Sequence, residues 1–137
     1  MTRLPYALAA LTLLFLIAGS ALLARPERER VLASVNAASF ERVTDTQEVV
    51  VLDVRTPEEY AAGRLPGARN IDFYAPDFAE QIAALDRDTP YAIYCRSGNR
   101  SGTTLTLMRT LGFTQVHDLS GGMSAWLAQG GEVCTRC

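Results

Sequence analysis

The sequence predicts one α/β domain: a parallel sheet in three layers, with helices on both faces, preceded by an apolar leader. Three observations predict it. From Val31 onward short apolar runs alternate with helical patterns, as in strands joined by crossover helices. "VVVLDV" (Val49 to Val54) is a continuous apolar run ending in turn chemistry, as a strand buried on both faces requires. With 48% hydrophobic and 20% charged residues in a chain of 137, there is material for one core.

After that strand, Thr56 is placed to cap a helix, Pro57 stands at its first position, and Glu59 completes a capping box. The helix runs from Pro57 to Ala62 and Gly63 ends it. "PGARNI" enters another short strand. Asp77 with Glu80 three residues later suggests a second capped helix, Phe78 to Leu85. "YAIYC" (Tyr91 to Cys95) is the next strand. Leu105, Met108 and Leu111 share one face of a helix from Arg100 to Leu111, with Gly112 where a terminating glycine is wanted. "QVHDL" (Gln115 to Leu119) reads as the last strand, Gly121-Gly122 as a turn, and Met123 to Gln129 as a closing helix with Trp126 facing the core.

Thirteen basic and fifteen acidic residues leave a net charge of -2, which gives no footprint for a nucleic-acid backbone. The first segment is of another kind, since no charge falls between Arg3 and Arg25. Leu8 to Ile17 followed by Ala18-Gly19-Ser20 suits a cleaved secretory signal, and Leu4 to Ala24 suits a transmembrane anchor. A buried core helix is the third alternative. Residues 1–24 are therefore read as signal peptide or membrane anchor and residues 25–35 as a linker. Arg25, Arg28 and Arg30 after the segment argue for a cytoplasmic domain by the basic-residue rule. The short basic start and the interleaved Glu27 and Glu29 argue for an exported one, on the periplasmic side of a bacterial inner membrane, which is the expectation adopted.

The chemistry concentrates in "YCRSGNRSG". Cys95 closes a buried strand and opens a loop into a helix, where open α/β sheets bind ligands. Backbone N–H groups from Arg96 through Ser97, Gly98, Asn99 and Arg100 to Ser101 can curl into an anion cradle, and the helix start adds partial positive charge. Such surroundings favour thiolate over thiol. A cysteine at a strand end is ordinarily a small buried hydrophobe. Here the glycine, serines and two arginines that follow have no packing purpose. Cysteine phosphatases place arginine after five intervening residues, whereas Arg100 follows Cys95 after four. The smaller loop suits a smaller anion, and a persulfide on Cys95 would fit it.

Three segments together resemble the single-domain rhodaneses, thiosulfate or persulfide sulfurtransferases: "LDVRTPEEYAAGRLPGARNI" (Leu52 to Ile71), "YCRSGNRS", and "DLSGGMSAW" (Asp118 to Trp126). The resemblance spans Asn36 to about Gly131, leaving residues 132–137 as a tail. It implies a rhodanese-like five-stranded parallel sheet, with Cys95 as nucleophile, Arg96 to Arg100 as the active loop, and no metal or organic cofactor. It implies ping-pong transfer: the thiolate takes the outer sulfur of a small anionic donor such as thiosulfate and passes it to cyanide, a thiol or a protein acceptor. Arg96 and Arg100 would bind the donor. Asp53 and Arg55 would support the loops, with Arg55 pairing with Glu58 or Glu59, and Gly121 and Gly122 would let the last turn approach the active loop. Arg64 stands where family members often carry histidine.

His117, the only histidine, reads as a strand residue, so neither a Cys–His hydrolase nor a metal site is supported. Cys134 and Cys137 end the chain as "CTRC". In an oxidising compartment they are expected to form a local disulfide. The alternative is a redox role, in which a tail thiol resolves the Cys95 persulfide. Three classes thus remain in view: a sulfurtransferase using Cys95, a non-catalytic rhodanese-like binding or sensing module, and a thiol redox protein using Cys134 and Cys137.

Overall fold

A computed structural model describes residues 29–46 and 48–137, so the leader, residues 1–24, lies outside the described residues. Five strands form one sheet in the order β1-β5-β4-β2-β3, every pair parallel. The strands are β1 (Val31–Val35), β2 (Val50–Asp53), β3 (Arg69–Asn70), β4 (Tyr91–Tyr94) and β5 (Gln115–Leu119). The helices are α1 (Ala37–Thr44), α2 (Pro57–Ala62), α3 (Phe78–Ala83), α4 (Asn99–Thr110) and α5 (Gly122–Ala128).

Residues 31–35, read above as linker, are instead the edge strand β1, paired along its whole length with β5. The run "VLASV" follows a charged stretch and alternates only weakly, so a lone strand signal is faint until a partner strand is known. Helix α1 follows, capped by Asn36, whose Oδ1 accepts from the Ser39 N–H at 2.9 Å. That pattern is the side-chain cap expected when a polar residue precedes a helix.

Period-two alternation divides the core between the two sheet faces. Leu52, Val54, Ile93 and Val116 meet Phe78 and Ile82 of α3 and Leu105 and Met108 of α4 on one face. Val51, Ala92, Tyr94 and Leu119 meet Phe40 of α1 and Met123 and Trp126 of α5 on the other. The capping box at α2 is formed as expected, Glu59 N–H to Thr56 Oγ1 and Thr56 N–H to Glu59 Oε2. The expected cap at Asp77 is not. Its backbone lies outside the extended region (φ −102°, ψ 18°), and its Oδ1 accepts instead from Gln81 Nε2 at 2.9 Å. Helix α4 closes through Gly112 N–H to Arg109 O and Phe113 N–H to Met108 O, the bond pair of a Schellman motif.

The strand order fixes where a ligand can sit. From β2 the chain moves outward to β3, and from β4 it moves the other way to β5. The loops after these two adjacent strands therefore diverge and leave a crevice between them. Cys95 follows β4, and Arg55 to Glu59 follow β2.

Candidate active site

Cys95 sits on the floor of the crevice, only 1% exposed. Gly98 N–H donates to its Sγ at 3.1 Å, and Ser101 Oγ lies 3.4 Å from the same sulfur. Burial alone pushes the thiol pKa up. Hydrogen bonds from the Ser101 hydroxyl and from the backbone N–H groups of Ser101, Gly98 and Ser97 outweigh it, so the net shift is downward, towards thiolate.

The cradle depends on glycine at two points. Gly98 adopts φ +101° at the start of α4, turning its N–H inward to the sulfur. Gly122 packs against the loop backbone so closely that a Cβ there would stand 2.5 Å from Cys95 O and 2.7 Å from the Arg96 carbonyl carbon. This contact lets α5 pin the loop. Met123 N–H donates to Cys95 O at 2.8 Å and Ser124 N–H to Arg96 O at 3.1 Å. Gly121 begins the turn and its N lies beside Gly98.

Of the remaining loop residues, Arg96, Ser97 and Asn99 are exposed at the rim. Arg100 is bound on both sides. Its Nη1 and Nη2 donate to the two oxygens of Glu59 at 2.7 and 2.9 Å, and its guanidinium lies 5.6 Å from the Tyr74 ring centre. The Glu59 bonds raise its pKa most, against burial, and attraction to Cys95 adds to the effect. The guanidinium therefore contributes field at the sulfur while its charge is shared with a carboxylate.

Asp53 and Arg55 form a buried pair, but Arg55 does not reach Glu58 or Glu59 as expected. Its Nε and Nη2 donate to Asp53, and Nη2 also donates to Gly63 O at 2.6 Å. Arg55 stands two residues beyond Asp53, the last residue of β2, whereas the Glu59 carboxylate bonds to Arg100. Tyr94 is the member of this group that the sequence did not reveal. Its hydroxyl donates to Asp53 Oδ2 at 2.6 Å and accepts from Leu65 N–H at 3.1 Å. Its pKa is raised strongly, chiefly by burial and then by Asp53. An apolar-looking "YAIY" strand hides such a role.

His117 lies on β5 between Ala33 and Ala92, and burial lowers its pKa. Cys134 and Cys137 are joined by a disulfide. The tail is docked on the body of the domain: Arg64 and Cys134 exchange backbone hydrogen bonds at 3.0 and 2.9 Å. Arg64 also donates to Thr135 O and Cys137 O, and its guanidinium stacks over Tyr60 at 4.5 Å.

A parallel α/β sheet presenting a buried cysteine in a cradle of N–H groups that lowers its pKa, between loops at its strand-order reversal, is an arrangement suited to cysteine-dependent group transfer. Residues 36–129 match the model of the rhodanese-like domain, and the chain belongs to that family. It is 33% identical over 90 residues to a sulfurtransferase of Allochromatium vinosum, covering 66% of this chain and 82% of the relative. It is 37% identical over 76 residues to the thiosulfate sulfurtransferase GlpE of Pseudomonas aeruginosa, covering 56% of this chain and 67% of the relative. Among solved structures, a rhodanese-related protein from Thermoplasma volcanium superposes with a TM-score of 0.67 at 32% identity, over 75% of this chain and 98% of that one. The chain is a rhodanese-type sulfurtransferase.

Proposed function

We propose that Cys95 carries sulfane sulfur as a persulfide, taken from thiosulfate or a small thiol persulfide and delivered to a thiophilic acceptor, cyanide or a thiol. The observation that supports this most directly is the convergence of Gly98 N–H and Ser101 Oγ on Sγ. In the first half-reaction the thiolate attacks the outer sulfur of thiosulfate. A Cys95–S bond forms, the S–S bond of the donor breaks, and sulfite leaves with the bonding pair. The anionic outer sulfur then stands about 2 Å beyond Sγ, among the loop N–H groups. In the second, the acceptor attacks that sulfur and Cys95 leaves as thiolate. The donors that hold the thiolate also stabilise it as a leaving group, so the same cradle serves both steps.

Arg96, at the rim, is the cation placed to draw in an anionic donor, and Arg100 adds to the field from below. On the composition of residues 1–24, the proposed location is the exported side of a membrane, by cleaved signal or by anchor. Fractionation of cells making the full chain, with protease protection, tests it. The function is tested by intact mass after incubation with thiosulfate or with cysteine persulfide. A gain of one sulfur, absent in Cys95→Ser, is expected. No gain from either donor in the folded protein would overturn the reading.

A further inference from the structure

The terminal "CTRC" is not used by the reaction above, yet the fold holds it in a defined place. A cleft of about 790 Å³ lies between α2, α5 and the tail. Its lining includes Cys134 and Cys137 together with Glu59 and Met123. Glu59 is the residue that holds Arg100, and Met123 N–H holds the carbonyl of Cys95. The disulfide thus lines the same cleft as two residues, Glu59 and Met123, that bond to the active loop.

The root of the tail is fixed near the active loop. Gly131 packs against the Trp126 indole, and Trp126 Nε1 donates to Glu132 O at 2.9 Å. Trp126 is three residues along α5 from Met123, an axial distance of about 5 Å. From Glu132, an extended chain carries Cys134 about 7 Å and Cys137 about 17 Å. Beyond Glu132 the tail is held by hydrogen bonds to Arg64 made by mostly exposed residues. Releasing them frees the tail beyond Glu132 to move over the cleft towards the active loop.

We propose that the reduced tail is an intramolecular acceptor that converts the Cys95 persulfide to hydrogen sulfide, and that the Cys134–Cys137 disulfide is the oxidised product of that step. The inference rests on the Cys95 persulfide proposed above. A tail thiolate attacks the outer sulfur, the bond between that sulfur and Cys95 Sγ breaks, and Cys95 leaves as thiolate. The second tail thiolate then attacks the persulfidated tail cysteine at its own sulfur, forming the disulfide and expelling hydrosulfide. In sum, Cys95–S–SH and two tail thiols give Cys95–SH, hydrogen sulfide and one disulfide. The sulfane sulfur gains two electrons and the two thiols lose them. An external dithiol, of the kind that reduces protein disulfides, resets the tail.

The full chain, in detergent, is reduced, freed of reductant without air, and given one equivalent of thiosulfate, with cysteine persulfide as the alternative donor. Sulfide release, free thiols at Cys134 and Cys137, and intact mass are followed in wild type and in Cys134→Ser/Cys137→Ser. Wild type is expected to release one sulfide and lose the two tail thiols, while the double variant keeps the sulfur on Cys95 and releases sulfide about tenfold more slowly or less. Equal release from both proteins, or sulfur retained on Cys95 of wild type with the tail thiols intact, would overturn the tail acceptor and leave the Cys95 carrier standing. If neither protein gains sulfur from either donor, the carrier fails and the tail acceptor fails with it.

Discussion

Glu59 binds Arg100 through both carboxylate oxygens, at 2.7 and 2.9 Å, while Oε2 also accepts from the Thr56 N–H at 3.0 Å. One side chain thereby caps α2 and ties that helix, which follows β2, to the first turn of α4, which follows the β4 loop. The Arg100 bonds, opposed by burial, lower the Glu59 pKa from 4.5 to about 2. A carboxylate with a depressed folded pKa stabilises the fold fully above its unfolded pKa, and the contribution is lost as pH falls through the folded value. Glu59→Gln is expected to cost about 1–2 kcal/mol at neutral pH, a charge-assisted pair that is partly exposed. The difference from wild type should shrink between pH 4.5 and about 2. Urea unfolding across that range measures it, and a difference independent of pH would contradict the assignment.

Ser101→Ala removes a donor from the Cys95 thiolate while leaving the loop glycines in place. The Cys95 pKa should rise, because the lost bond favours the charged form. One such bond is worth about 1 kcal/mol, or somewhat under one pKa unit. Iodoacetamide alkylation of Cys95 as a function of pH reports the shift. At a pH below both midpoints the variant should react several-fold more slowly, and the two proteins should converge at high pH.

Gly122→Ala places a methyl 2.5 Å from Cys95 O on a residue at φ +55°. Neither the carbonyl nor the α5 N-terminus can move without breaking the Met123 and Ser124 bonds to the loop. The expected cost is about 2–4 kcal/mol, with sulfur transfer reduced even in the fraction that folds. Gly102→Ala is the control, since a Cβ there meets nothing within 4 Å and the residue lies inside α4. Thermal unfolding with a cyanide-acceptor assay separates the two.

Tyr94→Phe deletes a hydroxyl that serves Asp53 and Leu65 N–H at once. Both partners are buried, so the loss should cost about 1–3 kcal/mol. The hydroxyl lies on the sheet face opposite Cys95. Activity measured well below the unfolding temperature should therefore remain near wild type, while the denaturation midpoint falls.

Most of the fold was written in local pattern. The apolar run at β2, the Thr56–Glu59 box, the Gly112 stop and the "QVHDL" strand each depend on residues a few positions apart, and each is present. β1 was lost to the linker because an edge strand draws its stability from its partner, here β5, eighty-four positions away in register. Asp77 had the residue type of a cap but not the backbone that a cap requires.

At the site, the sequence by itself located Cys95, the N–H cradle around it and the glycines that permit it, because these lie within one short loop or one tight turn. Only the tertiary structure decided the partners of the charges. Arg55 turned to Asp53 rather than Glu59, Arg100 acquired Glu59, and Tyr94 joined Asp53, since β2 and β4 are neighbours in the sheet although forty residues separate them. The position of the CTRC tail was likewise invisible locally. It follows from Arg64, a residue seventy positions earlier that meets the tail only once α2 and α5 have packed on the same face. Short-range hydrogen bonding and periodicity are encoded along the chain, whereas contacts between segments that follow different strands depend on strand order, and strand order is a property of the assembled core.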